Sequence, residues 1–382
     1  MPKPGLRADE VKAMALEAGL DSAGIAPAGP DAEALGRASD QIGRGLGPGR
    51  DRKTLGPFYD PGSELAGARS VLVVANSYLT SGPESLGRPG QPHGRVARYD
   101  WCNYYRDTRE KLQKVAYKLG EELSGSFQYK IFSNGRLAEK PLAARAGLGW
   151  YGKHGIITTA EYGSWIVLGL LVTNLELEPD VPLDGGCGDC RACMDACPTG
   201  AIVAPGVLDC RKCLQWMSGR QMVLPREVRL LWGDRLYGCT DCQEVCPLNK
   251  KAKPKNRIPE YGRIGPSLPL IPILGMEEGE FRSRYRGNQM AEKWVSFEAI
   301  RRNAAAALGN IGDQAAVPAL ERAMQDGRSQ IVSGHAAWAL GRIGGGKARG
   351  ILDKAAGPGL EAGVIKEVHR ALGMSAGTTE RV

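Results

Sequence analysis

The chain has 382 residues and a formal net charge of +8. With 42% hydrophobic residues it can bury more than one core, which excludes a disordered or low-complexity protein. The basic excess admits an anionic partner such as RNA, whereas an aromatic content of 6% excludes a wide base-stacking platform. The opening MPKPGLRADEVKAM lacks the apolar centre of a secretory signal, and the most apolar stretch, residues 165–172, is far too short to span a bilayer. A cytoplasmic protein with no membrane partner is expected.

Residues 8–19 read as a short amphipathic helix, with Val11, Met14, Ala15 and Leu16 apolar and Gly19 as the stop. Residues 22–27 read as a first strand. Residues 41–68 are rich in Gly, Pro and charge and read as a long loop. Their GRGLGPG is no phosphate-binding fingerprint, because no strand and helix frame it. SVLVVANSYL (residues 70–79) is a buried strand, and residues 81–97 are again loop. Residues 104–123 carry a strong helix pattern, with Leu112, Val115, Ala116 and Leu119 on one side. YGKHGIITT and residues 164–174 read as a strand pair. Residues 1–180 therefore form one mixed α/β domain with long loops, and a cysteine-rich module occupies residues 181–255.

In residues 256–382, Ala-Leu-Gly recurs at Ala307, Ala339 and Ala371, a period of 32 residues. Around the first two copies a helix, a Gly turn and a second helix repeat. That is the pattern of a short α-solenoid whose helix pairs bury their faces on one another. The basic run NKKAKPKNR (residues 249–257) precedes it and reads as either a solvated linker or an anion-binding strip.

Cys187, Cys190, Cys193 and Cys197 form a C-x2-C-x2-C-x3-C run closed by Pro198, the bacterial ferredoxin pattern for [4Fe–4S] ligation. CTDCQEVCP supplies a partial second copy, Cys239, Cys242 and Cys246. Two runs imply two clusters and hence electron transfer. In two-cluster ferredoxins the Cys before Pro ligates the other cluster. This assigns Cys187, Cys190, Cys193 and Cys246 to a first cluster and Cys197, Cys239 and Cys242 to a second. The second needs one more thiolate, from Cys210 or Cys213 in LDCRKCLQW. Paired C-x2-C motifs also occur in zinc sites, but those rarely take this run with a small-residue turn after it. Disulfides do not suit a cytosolic chain.

The ordered segments AGLDSAGIAPA, GARSVLVVA, ARYDW, ARAGLGWYGKH, GSWIVLGLLVTN, CGDCRACMDACPTGAI, LDCRKCLQW, DRLYGCTDCQEVCP and RRNAAAALGN resemble the epoxyqueuosine reductases, the last enzymes of queuosine synthesis on tRNA, over nearly the whole chain. The resemblance implies an α+β protein with three parts. These are a nitroreductase-like domain that binds cobalamin, a ferredoxin-like module with two [4Fe–4S] clusters, and a HEAT-like α-solenoid that grips the tRNA anticodon arm. It implies a monomer fed by an external electron donor. It also implies Cys213 as the last ligand of the second cluster, leaving Cys210 as a spare thiol or an alternative ligand.

At the chemical centre the chain departs from the family pattern. Ser133, in FSNGRLAEK, stands at the place of the family's proton-donating Asp and is the catalytic candidate. Tyr104, Tyr105 and Arg106 replace a DYH motif, and Leu170 stands where the family usually has Glu. Such changes fit a divergent paralogue. Arg98, Asp100, Lys153, His154 and Ser164 lie in matching segments and are the cobalamin-pocket candidates. Asp100, Glu139, Lys153, His154 and the Tyr99/Tyr104/Tyr105 group are the polar residues able to stand in for the missing Asp. Two other readings remain: a cytoplasmic cobalamin-dependent reductase of a small molecule, related to reductive dehalogenases, and a non-catalytic electron-transfer protein.

Overall fold

Two apolar strands organise the N-terminal part of the chain. In the computed structural model, which describes residues 6–47, 49, 51–81, 85–123, 127–255 and 258–375, β2 (Ser70–Ser77) and β6 (Ile166–Thr173) pair antiparallel, with Val73 opposite Leu170 and Leu72 opposite Leu171. Every residue of both strands is buried. Their unbroken apolar runs follow from this, since a sheet covered on both faces has no polar side. β1 (Ser22–Pro27) and β3 (Tyr129–Phe132) flank them, in the order β1-β2-β6-β3. One face carries Val71, Val73, Leu168, Leu170 and Val172 against Leu142, Ala143 and Ala146, from and just after α4 (Glu139–Arg145). The other packs Leu72, Val74 and Leu171 on α1 (Ala8–Glu17) and α3 (Tyr104–Glu122), through Val11, Ala15, Leu112, Val115 and Leu119.

Three expectations are corrected here. The YGKHGIITT segment does not pair with residues 164–174. It folds back as its own hairpin, β4 (Trp150–Tyr151) with β5 (Ile157–Thr158). The Gly152–Gly155 turn reverses the chain there, with Gly155 N–H donating to Gly152 O at 2.8 Å. The loop assigned to residues 41–68 begins inside a helix, α2 (Ala32–Gly43), whose N-cap Asp31 accepts the Ala34 N–H. The rest of that segment holds three short 3-10 turns. Residues 81–97 are not all loop, because His93–Val96 is a strand.

The chain divides into two units that are discontinuous in sequence. The first holds residues 1–81, 103–212 and 241–261, and the second holds residues 82–102, 213–240 and 262–382. The division cuts through the cysteine-rich segment. In the second unit, His93–Val96 lies between Arg235–Tyr237 and Ser267–Pro269 in a three-stranded sheet. Its helices are α5 (Phe297–Ile311), α6 (Val317–Gln325), α7 (Gln330–Ile343), α8 (Gly345–Ala355) and α9 (Ala362–Ser375). Ser296 and Ser329 cap α5 and α7 through the N–H groups of Ala299 and Val332.

The three Ala-Leu-Gly copies sit on α5, α7 and α9, which pack in that order. A Cβ on Gly309 would lie 2.9 Å from Ala339 Cα, and one on Gly341 would lie 2.9 Å from Ala371 Cα. The repeat is therefore the contact itself. Small residues recur every 32 positions because the helices cross where only hydrogen fits.

Candidate functional site

A turn closed by Cys190 N–H to Cys187 O (3.0 Å) leads into the short helix Ala192–Asp195, which buries Cys193. This helix contacts the helix Asp241–Glu244, which is followed by Cys246. Burial raises the Cys193 thiol pKa, and the neighbouring thiols of Cys187, Cys246 and Cys190 raise it further. Four sulfurs thus converge within the first unit. Among the described residues no trio of His, Cys, Asp or Glu closes on a single ion. A four-iron cubane needs no such trio, since each iron takes one thiolate.

Of the other cysteines, Cys197 Sγ accepts the Ala201 N–H at 3.2 Å. Cys242 rides on helix Asp241–Glu244 of the first unit. In the second unit Cys213 is the N-cap of helix Leu214–Ser218. Cys239 follows strand Arg235–Tyr237 after Gly238, whose φ is +79°.

Beside the thiols stands the β4–β5 hairpin. Lys153 Nζ donates to Gly188 O at 2.6 Å, which sets an ammonium against the loop between Cys187 and Cys190. His154 is buried, and its Nδ1 accepts the Ile156 N–H at 3.1 Å, so the neutral ring carries its proton on Nε2. Burial lowers its pKa to about 4, with help from Lys140. Neither ring nitrogen offers a free lone pair to a metal in this arrangement. Trp150 Nε1 and Thr158 Oγ1, facing residues of the hairpin, are buried without hydrogen-bond partners among the described residues. A Cβ on Gly152 would lie 3.0 Å from both Thr158 Oγ1 and His154 Nε2, so the hairpin gathers these polar groups around one glycine.

Ser133 is 1% exposed. Its Oγ donates to Leu168 O at 2.6 Å and its carbonyl accepts Arg109 Nη1 at 2.7 Å. The hydroxyl therefore ties the loop to β6. The following Asn134 has φ +56°, and its N–H donates to Glu139 Oε1 at 2.5 Å. Burial raises the Glu139 carboxyl pKa to about 7, against the N–H groups of Asn134 and Gly135 and the charges of Lys140 and Arg109. The titratable acid of this loop is Glu139.

Ser164 is also committed. Its N–H donates to Asn249 Oδ1 (2.6 Å), its Oγ accepts Asn249 Nδ2 (2.9 Å), and its carbonyl accepts Gln243 Nε2 (2.7 Å). This knot fixes the Asp241–Asn249 stretch onto the start of β6. In the second unit the Arg98 guanidinium lies 4.9 Å from the Trp101 ring centroid. Asp100 is wholly buried, with no hydrogen bond to either carboxylate oxygen among the described residues. Burial holds its carboxyl well above the usual carboxylate range; the Met290 N–H that pulls the other way is bonded to Asn288 Oδ1 at 2.9 Å.

Trp150 and Thr158 carry no role in the sequence analysis. Nothing local marks Thr158. Nothing local marks Trp150 either; its indole packs against Gly185, where a Cβ would lie 2.4 Å from Trp150 Cε3.

The units hold an antiparallel sheet with a four-thiol cluster site and a stack of helical repeats, which defines an iron–sulfur oxidoreductase with a repeat domain. Family profiles agree. A 4Fe-4S double cluster binding domain matches residues 186–249, HEAT repeats match residues 293–373, and Epoxyqueuosine reductase QueG, DUF1730, matches residues 59–134. The chain is 34% identical over 361 residues to an epoxyqueuosine reductase of Bacillus anthracis, covering 93% of each, and 31% identical to that of Staphylococcus aureus, covering 88% of each. It therefore belongs to the epoxyqueuosine reductase family. A crystal structure of epoxyqueuosine reductase with a tRNA-Tyr epoxyqueuosine-modified stem loop matches with a TM-score of 0.86 at 30% identity, covering 97% of this chain and 98% of that one. A Bacillus subtilis structure with its catalytic aspartate loop swung out of the active site matches with a TM-score of 0.85 at 31% identity, over 96% and 98%.

Proposed function

We propose that this chain reduces epoxyqueuosine to queuosine in tRNA. The carrying observation is the match to epoxyqueuosine reductases over nearly the full length of both chains, including the structure that holds a modified tRNA stem loop. In the reaction the epoxide oxygen leaves as water, taking two electrons and two protons. Two [4Fe–4S] clusters pass electrons singly. The first takes Cys187, Cys190, Cys193 and Cys246, and the second takes Cys197, Cys213, Cys239 and Cys242. When bound, cobalamin supplies a low-potential cobalt centre that delivers these electrons to carbon.

The residues present fit that cofactor. Trp150 Nε1 and Thr158 Oγ1 are buried polar groups with no partner among the described residues, and an amide-fringed ring would supply one. These two residues and Lys153 would hold it. His154 shapes the hairpin through its bond to Ile156 N–H. Ser133 anchors the loop, and Glu139, half-protonated near neutral pH, stores the proton that the family's aspartate supplies elsewhere. The tRNA is met by the exposed Lys250, Lys251 and Lys253. Asn256 and Arg257 of the basic run lie outside the described residues. Lys255 is already engaged with Asp21 and with Asn76 Oδ1. We place the enzyme in the cytoplasm as a monomer served by an external electron donor; no helix among the described residues is long and apolar enough to cross a membrane.

The test is anaerobic turnover of cluster-replete protein with cobalamin, a chemical reductant and epoxyqueuosine-containing tRNA, read by mass spectrometry of the nucleosides. Queuosine is the expected product. Its absence with cobalamin bound and both clusters reducible would reject the assignment.

A further inference from the structure

The first turns of α5 carry three consecutive buried polar residues, Arg301, Arg302 and Asn303, directly before the alanine run that packs the helical stack. Arg301 is explained by its neighbours, donating to Leu274 O at 2.9 Å and to Asp326 Oδ2 at 2.6 Å. Arg302 and Asn303 instead turn toward residues 213–240. Arg302 donates to the carbonyls of Met217 (2.8 Å), Arg220 (3.0 Å) and Met222 (2.8 Å), and to Asn303 Oδ1 (2.6 Å). Asn303 Nδ2 donates to Ser218 O (2.8 Å) and Leu236 O (2.9 Å). Together the pair takes up five carbonyls from two separate stretches of chain.

These carbonyls stand close to two cysteines. Met217 N–H donates to Cys213 O at 3.0 Å and Met217 O accepts Arg302, so Met217 links the Arg302 guanidinium to the Cys213 backbone. Leu236 lies three residues before Cys239, within a three-residue strand. A five-residue helix such as Leu214–Ser218 leaves most of its carbonyls without partners of its own. Only a planar fork with several donors takes up so many at once. Burial lowers the Arg302 pKa to about 9, so the charge survives at pH 7.

We infer that Arg302 and Asn303 are positioning residues for the second iron–sulfur cluster: they fix the two backbone segments that present Cys213 and Cys239. The inference rests on the assignment of those cysteines as ligands under the proposed function. Through this pair the first helix of the repeat stack sets where two of the cluster's thiolates stand.

The experiment compares Arg302→Lys, Asn303→Leu and Cys213→Ala with the parent, each reconstituted anaerobically as the full chain. The readouts are iron content, iron release to a chelator, and a potentiometric titration followed by electron paramagnetic resonance. Arg302→Lys keeps the charge and loses the fork; Asn303→Leu keeps the volume and loses both carbonyl bonds. Both are expected to keep native helix content and to release half of the iron at least about 10-fold faster, with the second cluster's potential shifted and the first cluster's signal unchanged, since supporting bonds to metal ligands carry effects of that size. Parent-like release and potentials in both variants would overturn the inference, as would equal lability of the two clusters. Cys213→Ala separates the two levels. If it still binds about eight irons, the ligand assignment fails; if it binds about four while the other variants behave as the parent, the ligand assignment stands and the positioning role fails.

Discussion

The thiol-bearing turns and the Ser133–Glu139 loop hold reactive groups in opposite ways. Around Cys193 the backbone bends through short turns, and sulfurs from separate segments face one another, so function comes from convergence. In the Ser133–Glu139 loop two polar side chains are turned back onto backbone, Ser133 onto Leu168 and Glu139 onto Asn134, and function comes from how burial sets one carboxyl. A convergent site fails when one member is removed. A tuned group shifts its working pH.

The largest effect is therefore expected at the thiols. Cys193→Ala should abolish turnover and halve the iron from about eight to about four per chain; full iron retention would break the convergent picture. Cys210→Ala should retain all iron, and iron depletion there would make Cys210 a ligand. Next comes Glu139→Gln, expected to slow turnover about 100-fold, the usual scale of general acid catalysis. In the parent the acid is protonated below about pH 7, so the rate should fall as pH rises through that value, and the variant should lose that limb.

Stability follows the same carboxyl. Its folded pKa lies above the ordinary glutamate value of 4.5, so the native state binds the extra proton, and stability declines as pH rises from about 4.5 toward about 7. Urea unfolding across that range should show a smaller decline in Glu139→Gln, and equal slopes would remove Glu139 from the account. A smaller change is expected from Lys153→Met. Removing a cation bonded to Gly188 O should lower the first cluster's reduction potential and leave the second unmoved. The smallest belongs to the basic strip. Changing Lys250, Lys251 or Lys253 to Gln should flatten the salt dependence of tRNA binding, lowering its logarithmic slope by about 0.7–0.9 for each phosphate left without its ammonium. Lys255→Gln should chiefly cost stability, because its ammonium is held by Asp21 and Asn76.

The same contrast explains what could be read from the chain. Cysteine spacing is a local code, so Cys187–Cys197 and Cys239–Cys246 announce themselves. The runs at 70–77 and 166–173 and the 32-residue repeat are likewise patterns of period and composition. What escapes such a reading is nonlocal. The hairpin Trp150–Thr158 pairs with itself and not with residues 164–174, because strands of similar composition do not name their neighbours. The strand His93–Val96 is four residues long in a Gly-rich stretch, and its pairing comes from residues more than 130 positions away. Ser133 stands out for replacing an acid, whereas its commitment to Leu168 and the burial of Glu139 depend on how β3, β6 and α4 meet. Asp100 is marked by its matching segment, whereas its complete burial comes only from the fold.

The glycines at 309 and 341 carry a mechanical consequence. Helices that touch this closely cannot slide past one another without collision, so the α5–α7–α9 stack keeps a fixed pitch. Anything lying along it must match that pitch, and selectivity for a long ligand then comes from spacing, however weak each individual contact is.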